Sequence, residues 1–403
     1  MMIQAWWAFL LLVFMAGTFL HIPILSGATV VLALLSMLAR WWQRQSLQGV
    51  IYRRNLVYRR GFPGEQIPLL VEVENRKFLP ISWLEVDDPI ALAVAPVDDD
   101  VIRSSHISDI GVLVNFFSLR WFERKRYRYT LLLRKRGVYP VGPPRLESGD
   151  LFGLFDSKAM DENQIDYITV YPQPLPTQAL RPPSDDPLGE RQARRRLYED
   201  QNLVMGVRDY QPYDDFRRIH WPYTARMGEL QVKVYQPVST RVMVICLNVS
   251  TMANYWEGMV PDLLEHVLSV TATIVQNGLE GGFQVGMVSN GCLAHADRPF
   301  RVPPGRSPNQ LSHLLTALAG VTMFVTAPFD RFLRTEVMRL PYGASLVVVS
   351  GIVYPALVET LIRLKNKGWR LTLVSFEVDA PPYVPGVQTV HLPYHRSSTG
   401  WKT

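Results

Sequence analysis

An uncharged N-terminal run is the strongest constraint on what this chain can fold into. No Asp, Glu, Lys or Arg occurs from Met1 to Ala39, and His21-Ile22-Pro23 interrupts the run near its middle. The two resulting segments, roughly Ile3 to Leu20 and Ile24 to Ala39, are each near the ~17 to 20 residues that cross the hydrocarbon core of a bilayer. The pattern predicts a transmembrane helical hairpin over residues 1–40.

A cleaved signal peptide is the competing interpretation of this run. Such a peptide has a basic start, a shorter apolar core and a small-residue cleavage site, whereas Met1 to Gln4 contains no basic residue. The flank that follows carries only basic charge, at Arg40, Arg44, Arg53, Arg54, Arg59 and Arg60. By the positive-inside rule we expect this flank, and the soluble domains, on the cytoplasmic face of the cell membrane. The alternative is that some of these arginines are solvated residues of the first strands.

Length, charge and cysteine content set broader limits. A chain of 403 residues is long enough for two or three domains, each with its own core. A formal net charge of +6 favours anionic surroundings such as membrane lipid. Of the two cysteines, Cys246 and Cys292, the first lies inside an apolar run. A disulfide framework is therefore not predicted, which agrees with a reducing compartment.

Residues 41–170 alternate apolar and polar side chains with a period of two. The clearest examples are Leu69 to Asn75, Ile81 to Val86 and Tyr127 to Leu133. Helical spacing is nearly absent, so we predict an antiparallel β-sandwich-like domain. Within it, the segment from Ser148 to Phe155 is expected to form a turn and an aromatic plug.

The basic strands of this domain suggest two alternative functions. Eight basic residues fall between Arg120 and Arg136 against one acid, Glu123, with aromatic residues between them. Such a pattern is compatible with binding of lipid headgroups or nucleic acid. It is equally compatible with the wet face of a sheet beside a membrane. Nucleic acid is the less favoured partner because no recognisable binding module accompanies the charge.

Prolines mark residues 171–200 as a linker between two unlike halves. They occur at Pro172, Pro174, Pro176, Pro182, Pro183 and Pro187. A segment this rich in proline does not form a continuous helix or a central strand, so it is expected to be extended. The following arginines, from Arg191 to Arg196, are interpreted as solvated, with an anionic partner as the alternative.

Residues 241–403 alternate apolar strands with helical segments. The strands are predicted near Arg241 to Leu247, Phe283 to Val288, Leu346 to Val349 and Leu371 to Phe376. The helices are predicted near Val260 to Asn277, Pro308 to Ala319, Phe329 to Arg339 and Pro355 to Lys367. Strands of nearly continuous apolar sequence, alternating with helices, indicate a mainly parallel sheet covered by helices.

Between these halves, residues 201–240 form the densest group of polar and aromatic side chains, here called the signature stretch. Asp214 can cap a short helix that runs to Trp221 and is ended by Pro222, and the i, i+3 spacing allows Asp214 to pair with Arg217 and Asp215 with Arg218. An edge strand should follow, with Leu230, Val232 and Val234 inward and Gln231, Lys233 and Tyr235 outward. The functional alternative is an anion or carboxylate site formed by Arg208, Arg217, Arg218 and Arg226, with Asp209, Asp214 and His220 as acid or base groups. Structure is favoured over catalysis, because ion-pair networks imitate active sites.

The signature stretch resembles that of the domain of unknown function 58 family. Family members carry Arg-Glu-Tyr, Gly-Asp, Arg-Arg-Ile-Asp-Trp and Ala-Arg. This chain has Arg208-Asp209-Tyr210, Tyr213-Asp214, Arg217-Arg218-Ile219-His220-Trp221 and Ala225-Arg226. Asp150 to Phe155 also resembles the family's upstream Asp-Pro-Phe-Gly-Leu. Two positions depart from the pattern, since Tyr213 stands where glycine is usual and His220 replaces an acid.

The resemblance implies that the last domain has a von Willebrand factor A-like, doubly wound fold. Such domains often bind a divalent metal through Asp-x-Ser-x-Ser after the first strand. Here Asn248-Val249-Ser250-Thr251-Met252 keeps one serine and lacks the leading carboxylate. Because Mg²⁺ sites normally include a carboxylate, we expect a degenerate site at Asn248 and Ser250, at most a weak divalent-cation site, and no other cofactor.

The resemblance also implies a protein-assembly role beside a MoxR-type AAA+ ATPase. The predicted function is that of a membrane-anchored, non-enzymatic interaction factor. An enzyme that acts on an anionic substrate at the cluster from Arg208 to Arg226 is the alternative. The residues expected to contact a partner are Arg208, Asp209, Tyr210, Asp214, Asp215, Arg217, Arg218, His220, Trp221 and Arg226.

Overall fold

The computed structural model describes residues 2–151, 153–175, 198–212, 214–238, 242–252, 258–294, 296–341 and 343–394. It divides into two compact units, Met1–Gln173 and Pro174–Thr403. Most of the predicted proline-rich linker, and Tyr213 of the signature stretch, lie outside the described residues. Each unit is described below by itself.

Two helices open the first unit. They are α1, Met2–Phe19, and α2, Pro23–Ser46, and they lie side by side where Trp6 Nε1 donates to Ser36 Oγ over 3.3 Å. Proline begins α2 because its fixed φ and missing N–H suit a first helical turn. Of the two, α2 is long and apolar enough to cross a membrane, whereas the apolar part of α1, Trp6–Phe19, is shorter. The structure therefore supplies one apolar N-terminal helix of spanning length.

Eleven strands and two short 3-10 helices follow among the described residues of the first unit. The strands are β1 Val50–Leu56, β2 Arg60–Gly61, β3 Gln66–Asn75, β4 Ile81–Ala91, β5 Ile102–Ser104, β6 Ile110–Leu119, β7 Arg124–Leu132, β8 Gly137–Val141, β9 Arg145–Gly149, β10 Asp156–Met160 and β11 Asp166–Val170. One antiparallel sheet has the order β1-β3-β7. A larger sheet has the order β10-β9-β4-β8-β11-β2, with β6 paired to β4 and β5 paired to β6. Its pairs are antiparallel except for the short parallel pair of β11 and β2.

One hydrophobic core joins the two sheets of this unit. Leu69, Val71 and Val73 of β3 are fully buried, and they belong to the same cluster as Leu84 and Val86 of β4. Their spacing follows from the strand geometry, because successive side chains point to opposite faces of a sheet. The period-two patterns of Leu69 to Asn75 and Ile81 to Val86 thus lie within β3 and β4.

The second unit contains nine strands and five helices within its described residues. They are β12 Tyr198–Asp209, α3 Trp221–Met227, β13 Gln231–Val238, β14 Val242–Asn248, α4 Pro261–Glu280, β15 Gln284–Leu293, β16 Ala296–Gly305, α5 Gln310–Ala319, β17 Val321–Val325, α6 Phe329–Val337, β18 Ser345–Ser350, α7 Pro355–Asn366, β19 Arg370–Ser375 and β20 Gln388–His391. A sheet runs in the order β16-β15-β14-β18-β19-β20, and β17 also pairs with β15. The strands from β15 to β20 in this order are parallel, whereas β16 and β17 pair antiparallel with β15.

Helices cover both faces of the parallel strands. On β14, Val244 and Cys246 belong to the cluster that contains Phe329 of α6 and Leu361 of α7. The preceding residue, Met243, lies against Gly278 of α4, hence on the opposite face. Consecutive residues of β14 are buried for this reason, as their nearly continuous apolar sequence predicted.

Candidate functional site

The signature stretch consists of parts of two paired strands and the long loop that connects them. Strands β12 and β13 form an antiparallel pair of their own, with Arg208 opposite Val232 and Asp209 opposite Gln231. Beyond the strand end, the His220 amide donates to the carbonyl of Gln231 over 2.8 Å. Ile219 bridges to Val232, and both side chains are buried. The stretch from 210 to 230 is therefore anchored at its ends and at its middle.

Arg208 and Asp214 form the main ion pair of this loop. The two guanidinium nitrogens each donate to one carboxylate oxygen over 2.6 Å, and the Gln211 amide donates to the same carboxylate over 2.9 Å. The hydrogen bonds from Arg208 are the largest cause of the lowered pKa of Asp214. The predicted pairing of Asp214 with Arg217 is thus wrong, because the turn brings Asp214 back to the strand residue Arg208.

Two short helices follow, and their boundaries differ from the prediction. Asp215, not Asp214, caps a 3-10 helix over Phe216–Arg218, its Oδ1 accepting from the Arg217 amide over 3.0 Å. Helix α3 then begins at Trp221, where a helix was expected to end at Pro222. Proline is tolerated in a first helical turn because the missing N–H would have had no helical partner there.

His220 caps α3 through its ring. Its Nδ1 accepts from the Tyr223 amide over 3.2 Å, which requires that this nitrogen carry no proton. Gly228 ends the helix in the left-handed conformation, with φ of 77°. The Nδ1 atom of His220 therefore serves as a hydrogen-bond acceptor that caps the helix.

Asp209 and Gln231 join β12 to β13 and α3. Gln231 Nε2 donates to Asp209 Oδ1 over 2.6 Å, and the Gln231 amide donates to Thr224 Oγ1 over 3.0 Å. Gln231 is buried and Leu230 is exposed, which reverses the orientation predicted for these two residues. The reversal follows from these bonds, because they hold the glutamine inward.

The predicted site residues therefore separate into two groups. Asp209, Asp214 and His220 each have a different partner, and no hydrogen bond among the described residues joins His220 to either aspartate. Among the others, Arg217, Trp221 and Arg226 are exposed to solvent, and together with their exposed neighbours Phe216 and Met227 they are here called the exposed signature side chains. Sequence reasoning missed Phe216 and Met227, although both flank the predicted arginines and are 65% and 60% exposed.

Comparison with known proteins agrees with the motif. Residues 206–378 match the family described as Protein of unknown function DUF58. Residues 206–378 are therefore a region similar to the DUF58 family, here called the DUF58 region. The uncharacterized protein YeaD of Bacillus subtilis (strain 168) is 23% identical over 316 residues, which cover 77% of this chain and 72% of YeaD.

Solved structures show only slight similarity. A CARDB domain from Pyrococcus furiosus gives a TM-score of 0.20 at 11% identity and covers 30% of this chain and 91% of that domain. The sporulation control protein Spo0M of Bacillus subtilis gives 0.19 at 19%, with 30% of this chain and 49% of Spo0M covered. A β-glucosidase from Listeria innocua gives 0.19 at 12%, with coverage of 30% and 16%. Scores of this size carry no conclusion about fold or function.

Asn248 of the DUF58 region lies in a buried network of neutral groups. Its Nδ2 donates to Ser350 Oγ over 2.9 Å, and its Oδ1 accepts from the Ser250 amide and from Asn290 Nδ2 over 3.0 and 3.2 Å. The Asn290 Oδ1 accepts in turn from the Val249 amide. In the part of the chain that the structure describes, no group of three or more His, Cys, Asp and Glu residues is placed to hold a metal ion. At the predicted degenerate site, the Asn248 side chain is therefore bonded to Ser350, to Asn290 and to the backbone amide of Ser250.

The basic strand of the first unit is paired with acidic neighbours. Arg126 Nε lies 2.6 Å from Glu72, while Arg124 lies 3.4 Å from Glu72 and 3.2 Å from Glu74. Both glutamates stand on β3, directly across from these arginines. The sequence count of basic residues from Arg120 to Arg136 missed these neutralising glutamates, because they lie on a strand about 50 residues earlier in the chain.

Proposed function

We propose that this protein is a membrane-anchored, non-enzymatic interaction factor that binds a protein partner through the exposed signature side chains. The observation that carries the proposal is the exposure of these five side chains on a loop whose Asp209, Asp214 and His220 are each bonded to other residues of the stretch. Trp and Arg are the side chains that most often dominate binding energy at protein interfaces, and Phe and Met are enriched there. Their exposure on a loop fixed by ion pairs and helix caps supports a preformed binding surface.

Two helices serve as the anchor in this proposal, as a transmembrane hairpin of α1 and α2. Helix α2 has 24 residues, or roughly 36 Å at the usual rise, against a hydrocarbon core of about 30 Å. Arg40 and Arg44 follow its apolar part, and Arg53, Arg59 and Arg60 are exposed beyond it. These charges support a cytoplasmic position for both units. Arg54 is not part of this flank, because its side chain is buried in an ion pair.

The second unit takes the binding role within this proposal. Its parallel strands with helices on both faces support a von Willebrand A-like, doubly wound domain. A MoxR-type AAA+ ATPase is the partner that the resemblance of the signature stretch suggests. The separate bonding of Asp209, Asp214 and His220 favours this role over acid–base catalysis, which needs such groups to reach one reacting atom.

Capture of a purified MoxR-type ATPase by the detergent-solubilised full chain tests the proposal. Trp221→Ala and Arg217→Ala should each weaken binding by ~30-fold, as loss of about 2 kcal/mol at an interface hot spot implies. Trp121→Ala and Arg331→Ala are matched controls, since both residues are exposed and lie outside the signature stretch. Equal binding by all four variants would remove the signature stretch from the interface.

A photo-cross-linking residue at position 221 identifies the partner independently. Cross-linking to an AAA+ protein in membranes of the native host supports the assignment. Cross-linking to a different protein keeps the interaction role and rejects the ATPase as its partner. Turnover of an anionic substrate that depends on His220 would instead support the enzyme alternative.

A further inference from the structure

The loop between β9 and β10 presents two leucines to solvent although its backbone is firmly held. The described residues of this loop, 150–151 and 153–155, are here called the Asp150 loop. The buried Asp150 accepts from the amides of Leu154 and Phe155 over 2.9 and 2.7 Å, and Gly153 takes the left-handed conformation with φ of 68°. Leu151 and Leu154 are nevertheless 54% and 58% exposed. The two leucines therefore lie outside the core, while Phe152 of the predicted aromatic plug lies outside the described residues.

The Asp150 loop lies against the last turns of α2 within the same unit. The Arg40 guanidinium stands over the Phe155 ring at 5.3 Å and over the Trp7 ring at 5.8 Å. One turn further along, Gln43 Nε2 donates to the carbonyl of Asp156 over 2.6 Å. The loop is therefore fixed at the level of Arg40, beside both α1 and α2.

Arg40 marks the level at which a spanning helix would leave the hydrocarbon core. The charge-free part of α2, Pro23–Ala39, is about 17 residues or roughly 25 Å long, and Arg40 is the first charged residue of the chain. Four tryptophans gather at this end of the helix pair, namely Trp6, Trp7, Trp41 and Trp42. Tryptophan is enriched where a membrane helix meets the headgroups, so this end has the composition of an interface.

We propose that the Asp150 loop inserts Leu151 and Leu154 into the boundary between headgroups and acyl chains of the bilayer beside α2. This third membrane contact rests on the proposed membrane anchor. It holds the β-rich unit in one orientation at the surface, because a loop and a helix together fix more rotations than the helix alone. Apolar side chains that would be a liability in water become favourable at that depth.

Site-specific labelling of the full chain in lipid nanodiscs tests this contact. Both native cysteines are buried, so a thiol-reactive NBD dye reports mainly on an introduced cysteine. Leu154→Cys and, independently, Leu151→Cys place the dye on the loop. Ile107→Cys is the matched control, since Ile107 is 60% exposed in the connection between β5 and β6. Leu32→Cys, in the middle of the apolar part of α2, reports on the anchor itself.

The nanodiscs contain phosphatidylcholine and phosphatidylglycerol, with or without a doxyl quencher near the top of the acyl chain. We expect the quencher to remove a fraction of the loop-dye emission close to that removed at Leu32, and little at Ile107. Loop dyes quenched no more than Ile107, while Leu32 is quenched, would overturn the loop contact and leave the anchor intact. Absence of quenching at Leu32 would overturn the anchor and the loop contact together.

Discussion

Replacing Arg54 with methionine removes one partner of a buried ion pair in the first unit. Arg54 Nη1 lies 2.6 Å from Asp88 Oδ1, and both side chains are fully buried. The same guanidinium approaches Asp166 at 3.5 Å and donates to the carbonyl of Gln164. After the substitution, Asp88 keeps the Tyr52 hydroxyl, at 2.8 Å, as a hydrogen-bond donor. An ionised carboxylate would then remain inside the protein without its cation.

Loss of one partner of a buried pair typically costs about 3 to 5 kcal/mol, because the remaining charge is not solvated. Arg53→Met is the matched control, since this neighbour on β1 is exposed and surface changes usually stay within about 0.5 kcal/mol. The double variant Arg54→Met with Asp88→Asn removes both charges. It should recover most of the loss, because the amide oxygen of asparagine still accepts from Tyr52.

The destabilisation should depend on pH in a defined direction. Burial raises the pKa of Asp88 to about 6 from its ordinary 3.8, while Arg54 and Tyr52 act to lower it. A raised folded-state pKa of an acid favours folding below the unfolded-state pKa, and this contribution is lost as pH rises through the folded-state pKa. Removal of Arg54 raises the pKa of Asp88 further. The Arg54→Met variant should therefore be closest to wild type near pH 4 and furthest from it near pH 8.

Hydrogen exchange of the full chain in detergent measures this loss where it occurs. Amides of β1, β3 and β4 should exchange on the order of 150-fold faster or more, the factor that corresponds to about 3 kcal/mol. Acceleration by less than about tenfold would refute the assigned role of the pair. Equal effects of Arg54→Met and Arg53→Met on hydrogen exchange would also refute it. A double variant that is no more stable than Arg54→Met alone would do the same.

Three further predictions concern the signature stretch. Arg208→Gln should raise the pKa of Asp214 toward its ordinary value. In wild type the carboxylate stays ionised to lower pH, and the ion pair is lost as pH falls through the depressed pKa. NMR titration of the Asp214 carboxyl carbon measures the pKa in both proteins. Gly228→Ala should destabilise α3 by about 1 to 2 kcal/mol, because alanine is strained at φ of 77°. Faster hydrogen exchange of α3 should show this loss of stability. Gly206→Ala is the control, and it should leave the exchange of α3 unchanged because its added methyl group lies in open space. His220→Ala should cost about 1 kcal/mol of helix stability while His220→Asp keeps the cap, so equal exchange in these two variants would contradict the capping role.

Sequence reasoning predicted elements that carry their own local signals. Strands β14 and β18 were recognisable because both of their faces are buried and their sequences are almost continuously apolar. Helix α7 was bounded by Pro355 in its first turn and by Gly368 just beyond its end. Such signals depend on residues within one or two turns of the element.

Contacts between distant segments were not recoverable in this way. Gln231 meets Asp209 because β12 pairs with β13, and pairing of those strands carries little signal in a polar segment. Pro222 was taken as the end of a helix, although proline also begins helices and the choice depends on the cap at His220. The acids that neutralise β7 come from β3, so segment charge alone overestimated its free basic character.

The helix-capping role of His220 explains why histidine can replace the acid of the family pattern at this position. The family pattern that the stretch resembles has an acid at this position, and a carboxylate is a good acceptor for the free amides of a first helical turn. An unprotonated imidazole nitrogen accepts from the same kind of amide, as the bond from Tyr223 shows. A cap explains why either residue type serves here, whereas a catalytic base would require specific proton chemistry. The specificity of the stretch therefore lies largely in its backbone, which its polar residues fix so that Phe216 and Trp221 remain at the surface.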